Sequence, residues 1–145
     1  MKVAVIHGPN LNLLGRREPE VYGTTTLQEV NERLEVLGRE LGVVLEIFQS
    51  NHEGELLDIL HRSSEGVDGF LVNAGGLTHT SVVLRDALSG LGLPYVEVHL
   101  SNTASRESFR HRSLLAPGAA GVVLGFGVWS YLLGLRGLVA QLGRA

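Results

Sequence analysis

The sequence predicts an α/β fold: a five-stranded parallel sheet with helices on both faces. Three observations carry this. Short apolar runs alternate with longer amphipathic segments along the chain. The short runs are apolar throughout instead of alternating, as strands are when helices cover both sides of a parallel sheet. The longer segments repeat leucine and valine at spacings of three and four, the period of a helix with one buried face. At 145 residues the chain is long enough to bury a sizeable core, and residues 1–145 are expected to form a single domain.

Lys2–His7 reads as the first strand; its apolar run is too short for a signal peptide. Residues 26–42 read as a helix with Leu27, Val30, Leu34, Leu37 and Leu41 inward. Thr26 and Glu29 fit a capping box at its start, and Gly42 fits a stop. Residues 43–49 form the second strand. Residues 53–64 form a helix with Leu56, Leu57, Ile59 and Leu60 inward. Gly69–Asn73 is the third strand, residues 81–89 a helix, residues 94–99 the fourth strand and Gly121–Leu124 the fifth. The last helix starts near Val128 and carries Val128, Leu132, Leu135, Val139 and Leu142 inward. Five strands in this order suggest a flavodoxin-like sheet. No repeat, low-complexity stretch or linker interrupts it. Residues 8–25 and 100–118 are long irregular segments for a compact domain, which makes both candidates for function.

Composition removes several classes. The net charge is −3 and no basic stripe is visible, which argues against nucleic acid as partner. There is no cysteine, so disulfides and cysteine-based metal sites or nucleophiles are excluded and a reducing compartment is permitted. Residues 113–135 carry no charge and would be long enough to span a bilayer, but Pro117 and five glycines interrupt them and split them into a strand and a helix. Eleven of the twelve basic residues are arginine. The single lysine, Lys2, opens the first strand, a poor place for Schiff-base chemistry.

Ligands of open parallel sheets bind outside the carboxyl ends of the strands. Four of those ends are rich in Asn, His, Ser or Glu: His7 to Asn12, Ser50 to Glu53, Asn73 to His79, and Glu97 to Asn102. A packing-only sheet has no need of this, and the coincidence favours a polar pocket. Glu97 and His99 lie two apart on one strand and so point to the same side, where a carboxylate can fix the imidazole tautomer and favour its protonated form, as suits a general acid. A self-satisfied buried pair is the bland alternative. Gly75-Gly76 could let backbone amides approach an anion, although a plain turn explains the pair equally well. The loop at residues 8–25 holds Arg16, Arg17, Glu18 and Tyr22. A tyrosine ionises near pH ~10 in water, so it serves as a base only where nearby cations in a closed site stabilise the phenolate. A solvated loop tyrosine is the commoner case. Six histidines (His7, His52, His61, His79, His99 and His111) raise the question of metal, but no H-x-x-x-H or H-E-x-x-H spacing occurs. Ser101 stands two residues from His99 without a G-x-S-x-G elbow, and the usual nucleotide loops are absent.

The segment from His7 through Gly8, Pro9, Asn10, Leu11 and Asn12 to Arg16, Arg17, Tyr22 and Gly23 resembles the opening signature of the type II dehydroquinases. The blocks at residues 48–55, 73–79 and 96–102 resemble three further family blocks in order, and Arg106-Glu107 with Phe109-Arg110 a fifth. At Thr103-Ala104 the sequence departs from the family pattern, which more often has an apolar residue followed by histidine. The resemblance covers essentially the whole chain. It implies a flavodoxin-like catalytic domain that dehydrates 3-dehydroquinate to 3-dehydroshikimate through an enolate, without cofactor or metal, in the cytoplasm, usually as a homododecamer built as a tetramer of trimers. It implies Tyr22 as the base at C2, with Arg17 on the lid beside it, and an ordered water near Asn10 that stabilises the enolate. It implies His99 as the acid for the C1 hydroxyl, backed by Glu97. By the same resemblance Asn73 and the backbone amides of Leu100 and Ser101 hold the substrate carboxylate, His79 and Arg110 read the ring hydroxyls, and Asp86 reaches in from a neighbouring subunit. Two rivals are a non-enzymatic flavodoxin-like module for a small phosphate or flavin, which a flavin absorbance band would reveal, and a metal-dependent hydrolase, which a chelator would inhibit.

Overall fold

The computed structural model describes residues 1–144. Its centre is one five-stranded parallel sheet of β1 (Lys2–His7), β2 (Val44–Gln49), β3 (Gly69–Asn73), β4 (Tyr95–His99) and β5 (Gly121–Leu124). The strands lie in the order β2-β1-β3-β4-β5, the flavodoxin-like arrangement expected from the sequence. Helix α1 (Pro19–Tyr22) is a single turn inside the first long loop. Helices α2 (Leu27–Leu41) and α5 (Val128–Leu142) cover one face of the sheet, and α3 (Glu53–Ser63) and α4 (Val82–Leu91) the other.

The central strands β1, β3 and β4 bury nearly every residue, which is why they read as continuous apolar runs. Two cores result. Val3, Val5, Leu71, Val96 and Val98 face Val30, Leu34, Tyr131 and Leu135, while Ala4, Ile6, Phe70 and Val72 face Leu56, Leu60, Leu84 and Leu88. The edge strands are less buried, and on β2 Glu46 pairs with Lys2 across the ladder at 2.6 Å.

Helix boundaries follow local chemistry. Thr26 Oγ1 accepts from the Glu29 N–H at 3.2 Å, so the threonine half of the capping box forms, and Gly42 closes α2 in the left-handed region at φ 70°. Helix α4 begins after Ser81, whose hydroxyl caps the Leu84 N–H, and runs two residues past the expected stop because the left-handed closing residue is Gly92. On α5 the expected inward face is rotated. Leu132 and Leu135 are buried, but Ser130, Tyr131, Gly134 and Leu138 share that face, whereas Val128, Val139 and Leu142 are only half-buried. Gly134 explains the shift: a Cβ there would stand 2.8 Å from Val98 Cγ2, so the helix packs tightly on β4 through a glycine that a search for large apolar residues passes over. The uncharged stretch at 113–135 folds as a turn, β5 and half of α5. No helix among the described residues is long and apolar enough to cross a membrane.

Candidate active site

The carboxyl ends of β1, β3 and β4 open into a cavity of about 200 Å³ lined by Pro9, Asn10, Arg17, Tyr22, Asn73, Gly75, His79, His99, Leu100, Ser101, Arg106 and Arg110, among others. In this strand order the chain turns in opposite directions from β1 and β3, so the crevice between them is where an open parallel sheet places its ligand. Residues from both long irregular segments reach it.

The crevice is built by tight backbone packing. Gly8 lies so close to Ala74 that a Cβ would meet its carbonyl oxygen at 2.5 Å. Its N–H donates to the Asn73 carbonyl at 2.7 Å. Asn10 follows in the left-handed region at φ 69°, its N–H held by Asn51 Oδ1 at 2.9 Å. Gly75 and Gly76 belong to a 3-10 turn, Gly75–His79, as the turn reading of the pair expects, and both line the cavity.

Tyr22 ends α1 between two arginines. The Arg17 guanidinium lies 4.9 Å from its ring centroid and that of Arg106 lies 5.1 Å away. Arg106 Nη1 also donates to the Tyr22 hydroxyl at 2.9 Å and to Ser101 Oγ at 3.2 Å. A phenolate at this point would have a cation on its oxygen and another against its ring. The sequence showed Arg106 only as part of a motif, because its 84-residue separation from Tyr22 gives no local signal.

Glu97 and His99 meet as their spacing on β4 demands. His99 Nε2 lies 2.5 Å from Glu97 Oε2. Glu97 is fully buried, and Thr78 and Ser113 also donate to it, at 2.5 and 2.8 Å. Burial alone would push its carboxyl upward, but the hydrogen bonds from His99, Thr78 and Ser113 and the attraction of His99 outweigh it, and the carboxyl titrates below its ordinary value. A carboxylate only accepts, so His99 carries its proton on Nε2 and Nδ1 is left for the cavity. Thr78 and Ser113 were not singled out in the sequence; they approach Glu97 from two other segments.

His79 stands beside His99 with ring centroids 6.4 Å apart, and its Nδ1 bonds the Arg112 carbonyl at 2.8 Å. Arg110 Nε bonds Glu107 at 3.1 Å. Of the six histidines only His79 and His99 line the cavity. His7 is buried beneath it, His52 and His61 are exposed on other segments, and His111 is exposed next to Arg110 with its Nε2 on the Arg106 carbonyl. Among the described residues no group of three or more His, Asp or Glu is placed to hold a metal ion. Asp86 lies outside the cavity, exposed on α4 with Arg85 at 3.1 Å. Lys2 sits at the opposite end of β1, five residue steps or roughly 17 Å from His7, too far to form an imine with a ligand in the cavity. Thr103, at the departure from the family pattern, lines the cavity at the start of a 3-10 turn.

Groups so placed can remove one proton and deliver another on a small polar molecule, so fold and site define a general acid–base enzyme on an open parallel sheet. The family model for Dehydroquinase class II matches residues 1–139. The chain is 55% identical over 144 residues to a 3-dehydroquinate dehydratase of Prochlorococcus marinus (strain NATL1A), covering 99% of both chains. Type II dehydroquinases of Butyrivibrio crossotus and Propionibacterium acnes superpose on it with TM-scores of 0.93 and 0.91, at 37% and 38% identity. They cover 95% and 96% of this chain and 97% and 96% of their own. The chain belongs to the class II dehydroquinase family.

Proposed function

We propose that residues 1–145 form one catalytic unit that removes water from 3-dehydroquinate to give 3-dehydroshikimate, as a hydro-lyase of the shikimate pathway, with Tyr22 as base and His99 as acid. Family membership and the relatives' shared name support the reaction. The observation that carries the roles is the pairing in one cavity of a tyrosine clasped by Arg17 and Arg106 with a histidine backed by buried Glu97. Tyr22 takes the C2 proton beside the C3 ketone, and the electron pair moves onto the ketone oxygen as an enolate, which a water held near Asn10 stabilises. The enolate then collapses to the conjugated enone as the C1–O bond breaks, and His99 delivers its proton to the departing hydroxyl. Glu97 stabilises the imidazolium beforehand. Asn73 and the N–H groups of Leu100 and Ser101 hold the carboxylate at C1, and His79 and Arg110 orient the ring hydroxyls. Mixing enzyme with 3-dehydroquinate should produce the absorbance of the enone; its absence with folded protein contradicts the reading. The non-enzymatic binding module is not favoured beside relatives that share the name dehydratase.

Asp86 completes the site from a neighbouring subunit in this reading, within a cytoplasmic homododecamer arranged as a tetramer of trimers. Support comes from its exposure on α4 beside Val82 and Val83, an apolar pair facing outward. Sedimentation should show a large closed oligomer, and a fully active monomer would contradict it.

A further inference from the structure

A second polar network runs under the cavity, apart from Tyr22, His99 and Glu97. His7 is wholly buried at the end of β1, Tyr131 is wholly buried on α5, and Asn73 is 2% exposed at the end of β3. His7 Nε2 lies 2.7 Å from Asn31 Oδ1, and His7 Nδ1 lies 2.8 Å from the Tyr131 hydroxyl. Asn73 Nδ2 donates to that hydroxyl at 3.0 Å, and Asn73 Oδ1 accepts from the Gly75 N–H at 3.1 Å.

The chemistry of the ends fixes the direction of every bond. An amide oxygen only accepts, so Nε2 carries the proton of a neutral His7 and Nδ1 is an acceptor. Tyr131 therefore donates to Nδ1, and its oxygen is free to accept from Asn73. Turning the Asn73 amide over would set a carbonyl against a hydroxyl whose hydrogen is already committed, and an NH2 against the Gly75 N–H. Two bonds would be lost in a buried setting, where unmade bonds are most costly. Burial lowers the imidazole to about 4, against a raising influence from Asn31, so His7 is neutral at physiological pH as this direction requires. Asn73 lines the cavity, and one hydrogen of its NH2 remains for a ligand.

We propose that His7 and Tyr131 are positioning residues: the chain Asn31–His7–Tyr131–Asn73 locks the Asn73 amide with a hydrogen toward the cavity, so that this end of the site accepts an anionic acceptor group, the substrate carboxylate. The inference rests on the reading above that Asn73 holds that carboxylate. A network that served packing alone would have no reason to end on the cavity wall with one donor left over.

The carboxylate keeps its charge from bound substrate to transition state, so the contact is uniform binding and its loss appears in KM more than in kcat. Tyr131→Phe removes one oxygen and leaves the Gly75 N–H as the single remaining anchor of the Asn73 amide, so its NH2 is held less firmly toward the cavity. KM for 3-dehydroquinate should rise about tenfold or more, the usual scale for a hydrogen bond to a charged group, with kcat within about threefold. In the Tyr131→Phe/Asn73→Ala double variant KM should be no higher than in Asn73→Ala alone, because both act through one amide. Asn31→Leu, at the half-buried outer end, should raise KM in the same direction, and it decides the matter if Tyr131→Phe does not fold. A wild-type KM in the variant that decides, or a double-variant effect equal to the product of the single ones, overturns the relay. Asn73→Ala with a wild-type KM overturns the carboxylate reading and the relay together, whereas a raised KM there beside an unchanged one in Tyr131→Phe overturns the relay alone.

Discussion

A phenol becomes a useful base only where the charge it gains is met by fixed cations, and the surroundings of Tyr22 have that character. Arg106 is the sharper of the two arginines, because its N–H lies on the oxygen itself while Arg17 lies against the ring. Glu18 and Glu107 hold it loosely, each at 3.8 Å, so it is oriented without being neutralised by a close pair. Replacing Arg106 with glutamine keeps a donor but removes the charge. Turnover should fall roughly ten- to a hundredfold, the worth of a charge-assisted hydrogen bond in a closed site, with the thermal midpoint little changed. Steady-state kinetics at saturating substrate would check this, and wild-type kcat would show that Arg106 has no part in the proton transfer. On the acid side, Glu97 is buried with three side-chain partners, so its charge is satisfied on every side before substrate arrives.

At the scale of elements, the site depends on how closely the loops after β1 and β3 approach each other. Gly8→Ala would press a methyl against the Ala74 carbonyl, backbone that cannot move aside. We expect a destabilisation of about 1–3 kcal/mol, typical of overpacking, together with weakened substrate binding, since Asn10 and Asn73 flank the contact. Denaturant unfolding and KM would report the two effects, and a variant indistinguishable from wild type would show that the loops have slack. These elements also show what the sequence could convey. The strands and long helices were legible because periodicity and caps are local: Thr26, Gly42 and the apolar run of β1 each act within a few residues. The Glu97–His99 pair was legible for the same reason, being two residues apart on one strand. The partners that complete the site were not, because Arg106 to Tyr22, Thr78 to Glu97 and Tyr131 to His7 are joined only by the tertiary fold. Tyr22 stood out as a candidate base through Arg16 and Arg17 close by in the chain, whereas the roles expected of Asn73 and Asp86 came from resemblance alone, since nothing in their spacing points to them.

For the molecule as a whole, the buried histidine ties stability to pH. His7 titrates at about 4 in the fold against 6.5 in an open chain, chiefly through burial. Below 6.5 the unfolded chain binds a proton that the native state refuses, so the contribution is full above that value and drains away as pH falls toward 4. Over that window it amounts to about 3 kcal/mol. Glu97, also lowered, acts in the same direction at lower pH. Denaturant midpoints should therefore fall with acidification more steeply in wild type than in His7→Asn, and equal slopes would contradict this account of the core. The fold brings Tyr22 from one loop and His99 from one strand to a single cavity, and the proposed division of labour makes the first the base and the second the acid. It is tested most directly by incubating variants with 3-dehydroquinate in deuterated water and following C2 by NMR. Tyr22→Phe should lose at least ~10²-fold in turnover and cease to exchange the C2 proton, while His99→Ala should stall loss of the hydroxyl yet still exchange it. Exchange at the wild-type rate in Tyr22→Phe would show that Tyr22 is not the base.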